Sequence, residues 1–129
     1  MRRPLVWMTA AVLAVGCSAC GIKYSQASIQ KDAAAASQIF KQIAAGQDAA
    51  ATRRFDAIMA RKLTAAQLSQ AWGQVTSAVG TFQSAGRPTA HTAAGDLVIE
   101  IPLVFSQGTR VGEVTFGPGG QVAGLFFLP

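Results

Sequence analysis

The sequence predicts an α+β domain in which three N-terminal helices pack on a curved, four-stranded antiparallel sheet. Three observations lead there. Apolar residues recur at intervals of three and four as far as Val79, and after Gly80 they alternate instead. The chain has 129 residues, half of them hydrophobic, which is enough for one modest core and leaves no room for a second. Only 13% of residues are charged, and this composition is too apolar for a disordered chain.

The first segment, "MRRPLVWMTAAVLAVGC", has two arginines, an apolar run from Pro4 to Gly16, and small residues at Ala14 and Gly16. This is the layout of a secretory signal. A thirteen-residue helix would reach about 20 Å, short of the ~30 Å hydrocarbon core, so a cleaved leader is expected rather than a span. The only two cysteines, Cys17 and Cys20, follow at a spacing shared by redox pairs, metal ligands and lipid anchors. A thioredoxin-like pair should open a helix after a strand, and a zinc site needs more partners than the single histidine, His91. No metal and no cofactor are therefore expected.

Residues Ala14, Val15, Gly16 and Cys17 resemble the lipobox of bacterial lipoproteins, in which the cysteine is joined to diacylglycerol and becomes the mature N-terminus. Ala14 stands where that family usually has Leu. Cys20, preceded by Ser18 and Ala19, is the alternative acceptor, but Cys17 would then hold a position that favours a branched aliphatic. The resemblance implies an extracytoplasmic protein anchored to a bacterial cell membrane, with membrane lipid as its first partner. The expected division is a signal peptide over 1–16, a lipidated cysteine and tether over 17–27, and one domain over 28–129. Loss of Arg2 and Arg3 would lower the formal charge from +5 to about +3. Arg53, Arg54, Arg61 and Lys62 cluster without a nucleic-acid-binding motif, so no nucleic acid is expected and a solvated helix face accounts for them.

Ile29, Ala33, Ala36, Phe40 and Ile43 mark one stripe of a first helix over about 26–45, closed by Gly46. Asp48 is placed to cap a second helix ending near Leu63, with Ala51, Phe55, Ile58 and Met59 inward. "TAAQ", Thr64 to Gln67, has the form of a capping box, and Leu68, Trp72, Val75 and Val79 follow on one face up to Gly80.

A weaker strand is expected from Thr81 to about Thr92, interrupted by Gly86 and Pro88. Leu97, Ile99, Ile101, Leu103 and Phe105 then form a strong alternating face, with Val98, Glu100, Pro102 and Val104 opposite. After "SQG", Gly112, Val114 and Phe116 alternate with Val111, Glu113 and Thr115. After "GPGG", Val122, Gly124, Phe126 and Leu128 alternate with Ala123, Leu125 and Phe127. Short loops between these strands predict an antiparallel meander. Pro102 cannot donate a ladder hydrogen bond, so it predicts a bulge or a first strand paired with only part of the second. Either would bend the sheet around the helices, giving a small roll of the cystatin-like or nuclear-transport-factor-2-like kind.

The order "FDAIMARKL", "QLSQAW", "VGTF", "LVIEIPLVF" and "GQVAGLFFLP" resembles the bacterial family called domain of unknown function 3887, over about residues 28–129. The resemblance implies a nuclear-transport-factor-2-like fold and small secreted or lipid-anchored proteins, or a module ahead of secreted α/β-hydrolases. It implies neither a reaction nor a ligand, and it carries no catalytic residue onto this chain.

Candidate chemistry is sparse. "GTFQSAG" approaches a nucleophile elbow at Ser84 but has Phe82 where the first glycine belongs. His91 lies at a likely strand end and suits a surface role better than general-base work. Asp56, Glu100 and Glu113 form the possible polar site: paired in a cavity, Glu100 and Glu113 would include a raised-pKa acid, whereas on the outer face they are solvated charges. Asp56 is expected to cap, or to bridge to Arg53 or Arg54. Phe40, Phe55, Trp72, Phe82, Phe105, Phe116 and Phe126 line either a core or a ligand pocket, and a domain this small needs most of them for its core. The expected function is a non-catalytic, membrane-tethered binding module for an envelope protein or a small apolar ligand. A small enzyme using a buried carboxylate in the helix–sheet cavity is the alternative.

Overall fold

The computed structural model describes residues 24–129. The segment expected to be a signal peptide, with Cys17 and Cys20, lies outside the described residues. Helix α1 (Gln26–Ala44) starts at Ser25, whose hydroxyl accepts from the Ser28 amide at 3.1 Å. It ends where Gly46 takes φ +80° and the Gln47 N–H reaches back to the Gln42 carbonyl at 2.8 Å, a Schellman closure. Its buried stripe is Asp32, Ala36, Ile39, Phe40 and Ile43. Tyr24 is also buried, and its hydroxyl donates to the Gly95 carbonyl at 3.0 Å. The folded unit thus includes residues the sequence reading assigned to a tether over 17–27.

The second helix is not continuous. Helix α2 (Asp48–Ala51) passes into a 3₁₀ turn (Thr52–Arg54), Phe55 is extended, and α3 (Ala57–Lys62) starts afresh. Two contacts explain the break: Phe55 forms a parallel bridge with Val122, and the Asp56 N–H donates to the Val122 carbonyl at 2.9 Å. Asp56 then caps α3, its Oδ1 accepting from the Met59 amide at 2.7 Å. The restart changes the helical phase. Ile58, expected inward, is 57% exposed, while Met59 is buried.

Helix α4 (Ala65–Val79) is built as its sequence predicts. The Thr64 hydroxyl accepts from the Gln67 amide at 3.2 Å and Gln67 Oε1 accepts from the Thr64 amide at 2.9 Å. Gly80, at φ +89°, turns the chain into the sheet.

The sheet is antiparallel and open, with five strands among the described residues: β1 (Phe82–Ala85), β2 (Thr89–Ala93), β3 (Asp96–Phe105), β4 (Gly108–Phe116) and β5 (Val122–Leu128). The order is β1-β3-β4-β5, with β2 also on β3. The single weak strand expected over 81–92 is two strands that share one edge of β3. β1 pairs with Leu103–Phe105 and β2 with Asp96–Glu100. Pro102 faces the gap between them, so its missing N–H interrupts no ladder, and its carbonyl accepts from the Gly86 amide at 2.7 Å.

A second irregularity lies between β4 and β5. Phe116 pairs with Val122 but Thr115 with Gly124, so Ala123 is an extra residue and the side-chain alternation of β5 reverses after it. Leu125 is consequently buried, Phe127 packs against the core, and Phe126 is 52% exposed. Phe126, expected to line a core or a pocket, is therefore turned outward.

The helices cover one sheet face. Phe40, Leu68, Leu97, Ile99, Ile101, Leu103, Val114 and Phe116 have essentially no exposed surface. Trp72 stands at the centre of an aromatic cluster, its ring 5.4 Å from Phe105, 5.6 Å from Phe127 and 5.8 Å from Phe82 between centroids, with Phe40 5.8 Å from Phe127. These separations are those of favourable tilted aromatic pairs.

Candidate functional site

The expected polar residues fall in two places. Asp56 is occupied as a helix cap, 2.7 Å from the amide it accepts. Glu100 and Glu113 stand directly opposite each other on β3 and β4, on the face of the sheet turned away from the helices. Thr89 of β2 is opposite Glu100, Phe126 of β5 is opposite Glu113, and the exposed His91 lies two residues along β2 from Thr89. Partial burial, a hydrogen-bond contact with Glu100 and that residue's charge push the Glu113 carboxyl above the usual range, while His91 pulls it down. The pair is brought together as the sequence suggested, on an outer face rather than in a helix–sheet cavity.

The expected aromatics separate similarly. Phe40, Phe55, Phe105 and Phe116 are buried, and Trp72 and Phe82 pack partly buried against them. Their rings fill the space between helices and sheet. Ser84 lies in β1, which leads into another strand rather than a helix, so the geometry of a nucleophile elbow is lacking there.

A second site was not singled out from the sequence. Asp32 is 6% exposed, the one buried charged residue among those described. Burial raises its carboxyl pKa, with Arg54 and Lys31 pulling it down, and the first effect prevails. It lines a cleft of about 260 Å³ with Tyr24, Ser28, Lys31 and the Pro118–Gly120 turn between β4 and β5. Three elements make the cleft. The first turns of α1 supply Ser28, Lys31 and Asp32; Tyr24 is held by its bond to the β2–β3 turn at Gly95; and Gly120, at φ +80°, shapes the opposite wall. A signal was present in the sequence, since Asp32 is three residues from Ile29 and four from Ala36 and so lies on the apolar stripe.

Among the described residues no group of three or more His, Cys, Asp or Glu side chains is placed to hold a metal, and no helix is long and apolar enough to cross a membrane. Comparison with known proteins gives no counterpart: no family model matches the chain, and no curated protein or solved structure matches it.

Proposed function

We propose that this chain is a lipid-anchored, extracytoplasmic binding module, joined to a bacterial membrane through Cys17 and working through contacts rather than through a covalent reaction. The observation that carries the reading is the position of Tyr24. It is buried and bonded to the β2–β3 turn only seven residues after Cys17. Fully extended, those residues reach about 25 Å at most, so an acyl group on Cys17 would hold this end of the domain close to the bilayer. The order of segments that resembles the domain of unknown function 3887 family supports the same reading. So does the framework, with helices on one face of an open sheet interrupted at Pro102 and bulged at Ala123, which favours a cystatin-like or nuclear-transport-factor-2-like roll. Mass spectrometry of the native product tests the proposal. A mature N-terminus at Cys17 with an acyl adduct is expected; an intact Met1 end without one overturns it.

A second reading, a small enzyme working through a buried carboxylate, is favoured by Asp32 alone, because its surroundings hold the carboxyl toward the protonated form beside an open cleft. Asp32→Asn separates the two: loss of a hydrolytic or isomerising activity found in a substrate screen supports the enzyme, and activity that is unchanged excludes Asp32 from it.

A further inference from the structure

We propose that the Tyr24–Asp32 cleft binds a small zwitterion, an ammonium joined by a short linker to a phosphate, as in phosphoethanolamine. Asp32 is the partner for the ammonium. Asp32 is buried on the core stripe of α1, and the charges of Arg54 and Lys31 acting on it do not outweigh that burial. A carboxylate in such a place is costly to ionise unless a cation is supplied. Two further oxygens belong to residues lining the same cleft. The Tyr24 hydroxyl donates its proton to the Gly95 carbonyl, which leaves the phenolic oxygen as an acceptor, and the Ser28 hydroxyl lines the same space.

Lys31 and the facing turn are the partners for the phosphate. Lys31 is exposed, lines the cleft and carries an ammonium group. The facing turn contributes Gly119, whose N–H has no backbone acceptor among the described residues, while those of Gly117 and Gly120 are bonded to Gln121 and Gly117. A bare cation would be repelled by Lys31 and a bare anion by Asp32. A ligand carrying both charges satisfies both residues. The volume, about 260 Å³, suits a head group rather than a larger organic molecule.

The same chemistry has two sources, a bilayer lipid head group and free phosphoethanolamine. The head group is favoured by the closeness of this end of the domain to the membrane, a step that rests on the anchoring proposed above.

Calorimetric titration of the purified full-length protein tests the site with phosphoethanolamine, ethanolamine and inorganic phosphate. Phosphoethanolamine is expected to bind saturably and roughly tenfold or more tighter than either half, a gain of about 1.4 kcal/mol per factor of ten. Asp32→Asn and Lys31→Ala should each weaken it by roughly tenfold, with Glu100→Gln, on the far face, unchanged. Circular dichroism of each variant establishes that it is folded. Absence of saturable binding, equal binding of ethanolamine alone, or an undiminished affinity in Asp32→Asn overturns the proposal. Dihexanoyl phosphatidylethanolamine binding at least as tightly as the free head group identifies the lipid source, and rejection of it identifies the free one. Intact mass of the same sample reports acylation independently, so a protein that binds the zwitterion without an acyl adduct removes the anchor and leaves the site standing.

Discussion

Phe40 of α1 and Gly112 of β4 approach so closely that a Cβ on the glycine would fall 2.5 Å from the ring's Cζ and 2.7 and 2.8 Å from the two adjacent carbons. The helix rests on the sheet at this point because residue 112 has no side chain. Phe40 is fully buried and touches Phe127 through an edge-on pair, so the ring has no free direction in which to move. Gly112→Ala is therefore expected to destabilise the domain by about 3 kcal/mol through overpacking. Urea denaturation followed by the fluorescence of Trp72, the only tryptophan among the described residues, measures it.

The Ala123 bulge makes a second, paired prediction. Phe126 and Phe127 are adjacent, yet Phe126 is 52% exposed and Phe127 packs between Phe40 and Trp72. Phe127→Ala should cost about 3 kcal/mol and Phe126→Ala less than about 1 kcal/mol. The reverse order would show that the strand alternates without interruption from Val122.

This pair also shows where the sequence was informative and where it was not. Periodicity located α1, α4, β3 and β4 because each keeps one phase from end to end, and local capping chemistry marked Thr64 and Gly46 directly. The phase of β5 depends on one extra residue whose only cause is the pairing with β4, and nothing in "QVAGLFFLP" reports it. The break at Phe55 is of the same kind, since it depends on a bridge to Val122, 67 positions away. Glu100 and Glu113 were legible as neighbours because β3 and β4 are joined by a tight turn. The Asp32 cleft was hidden because its walls come from α1, the residue before its cap and a turn nearly ninety positions later, although an aspartate on an apolar stripe was visible in itself.

Capping gives a local test of α4. The Thr64 hydroxyl and the Gln67 side chain satisfy each other's backbone amides at 3.2 and 2.9 Å. Thr64→Ala removes one of these bonds and weakens the geometry of the other, with an expected loss of about 1 kcal/mol. Thr64→Ser should retain most of the stability, and a melting experiment on the two variants distinguishes the hydroxyl from the methyl group.

Glu113 faces Glu100 across the outer surface, with its carboxyl pKa raised by partial burial and by that partner. A carboxyl raised in the folded state favours folding below its unfolded pKa, and that contribution is lost as the pH rises through the folded value. Glu113→Gln has no such loss. It should match the wild type in acid and exceed it at neutral pH by roughly 0.5 kcal/mol, a like-charge cost reduced by solvent. Stability curves at pH 3 and pH 7 check the convergence.

Asp32 obeys the same linkage in a drier place. Its carboxyl pKa is raised by burial against the opposing pull of Arg54 and Lys31, so the native state resists its ionisation. Wild-type stability should fall as the pH rises from the ordinary aspartate range through the raised value, and Asp32→Asn should lack that fall. The variant is therefore expected to be the more stable protein at neutral pH by about 1 kcal/mol, with the difference closing in acid. A merely structural aspartate would give the opposite result, since removing its charge would destabilise the fold. A ligand that supplies an ammonium to the cleft should also stabilise the wild type selectively, and thermal melts with phosphoethanolamine at pH 7 should raise the wild-type midpoint while leaving that of Asp32→Asn in place.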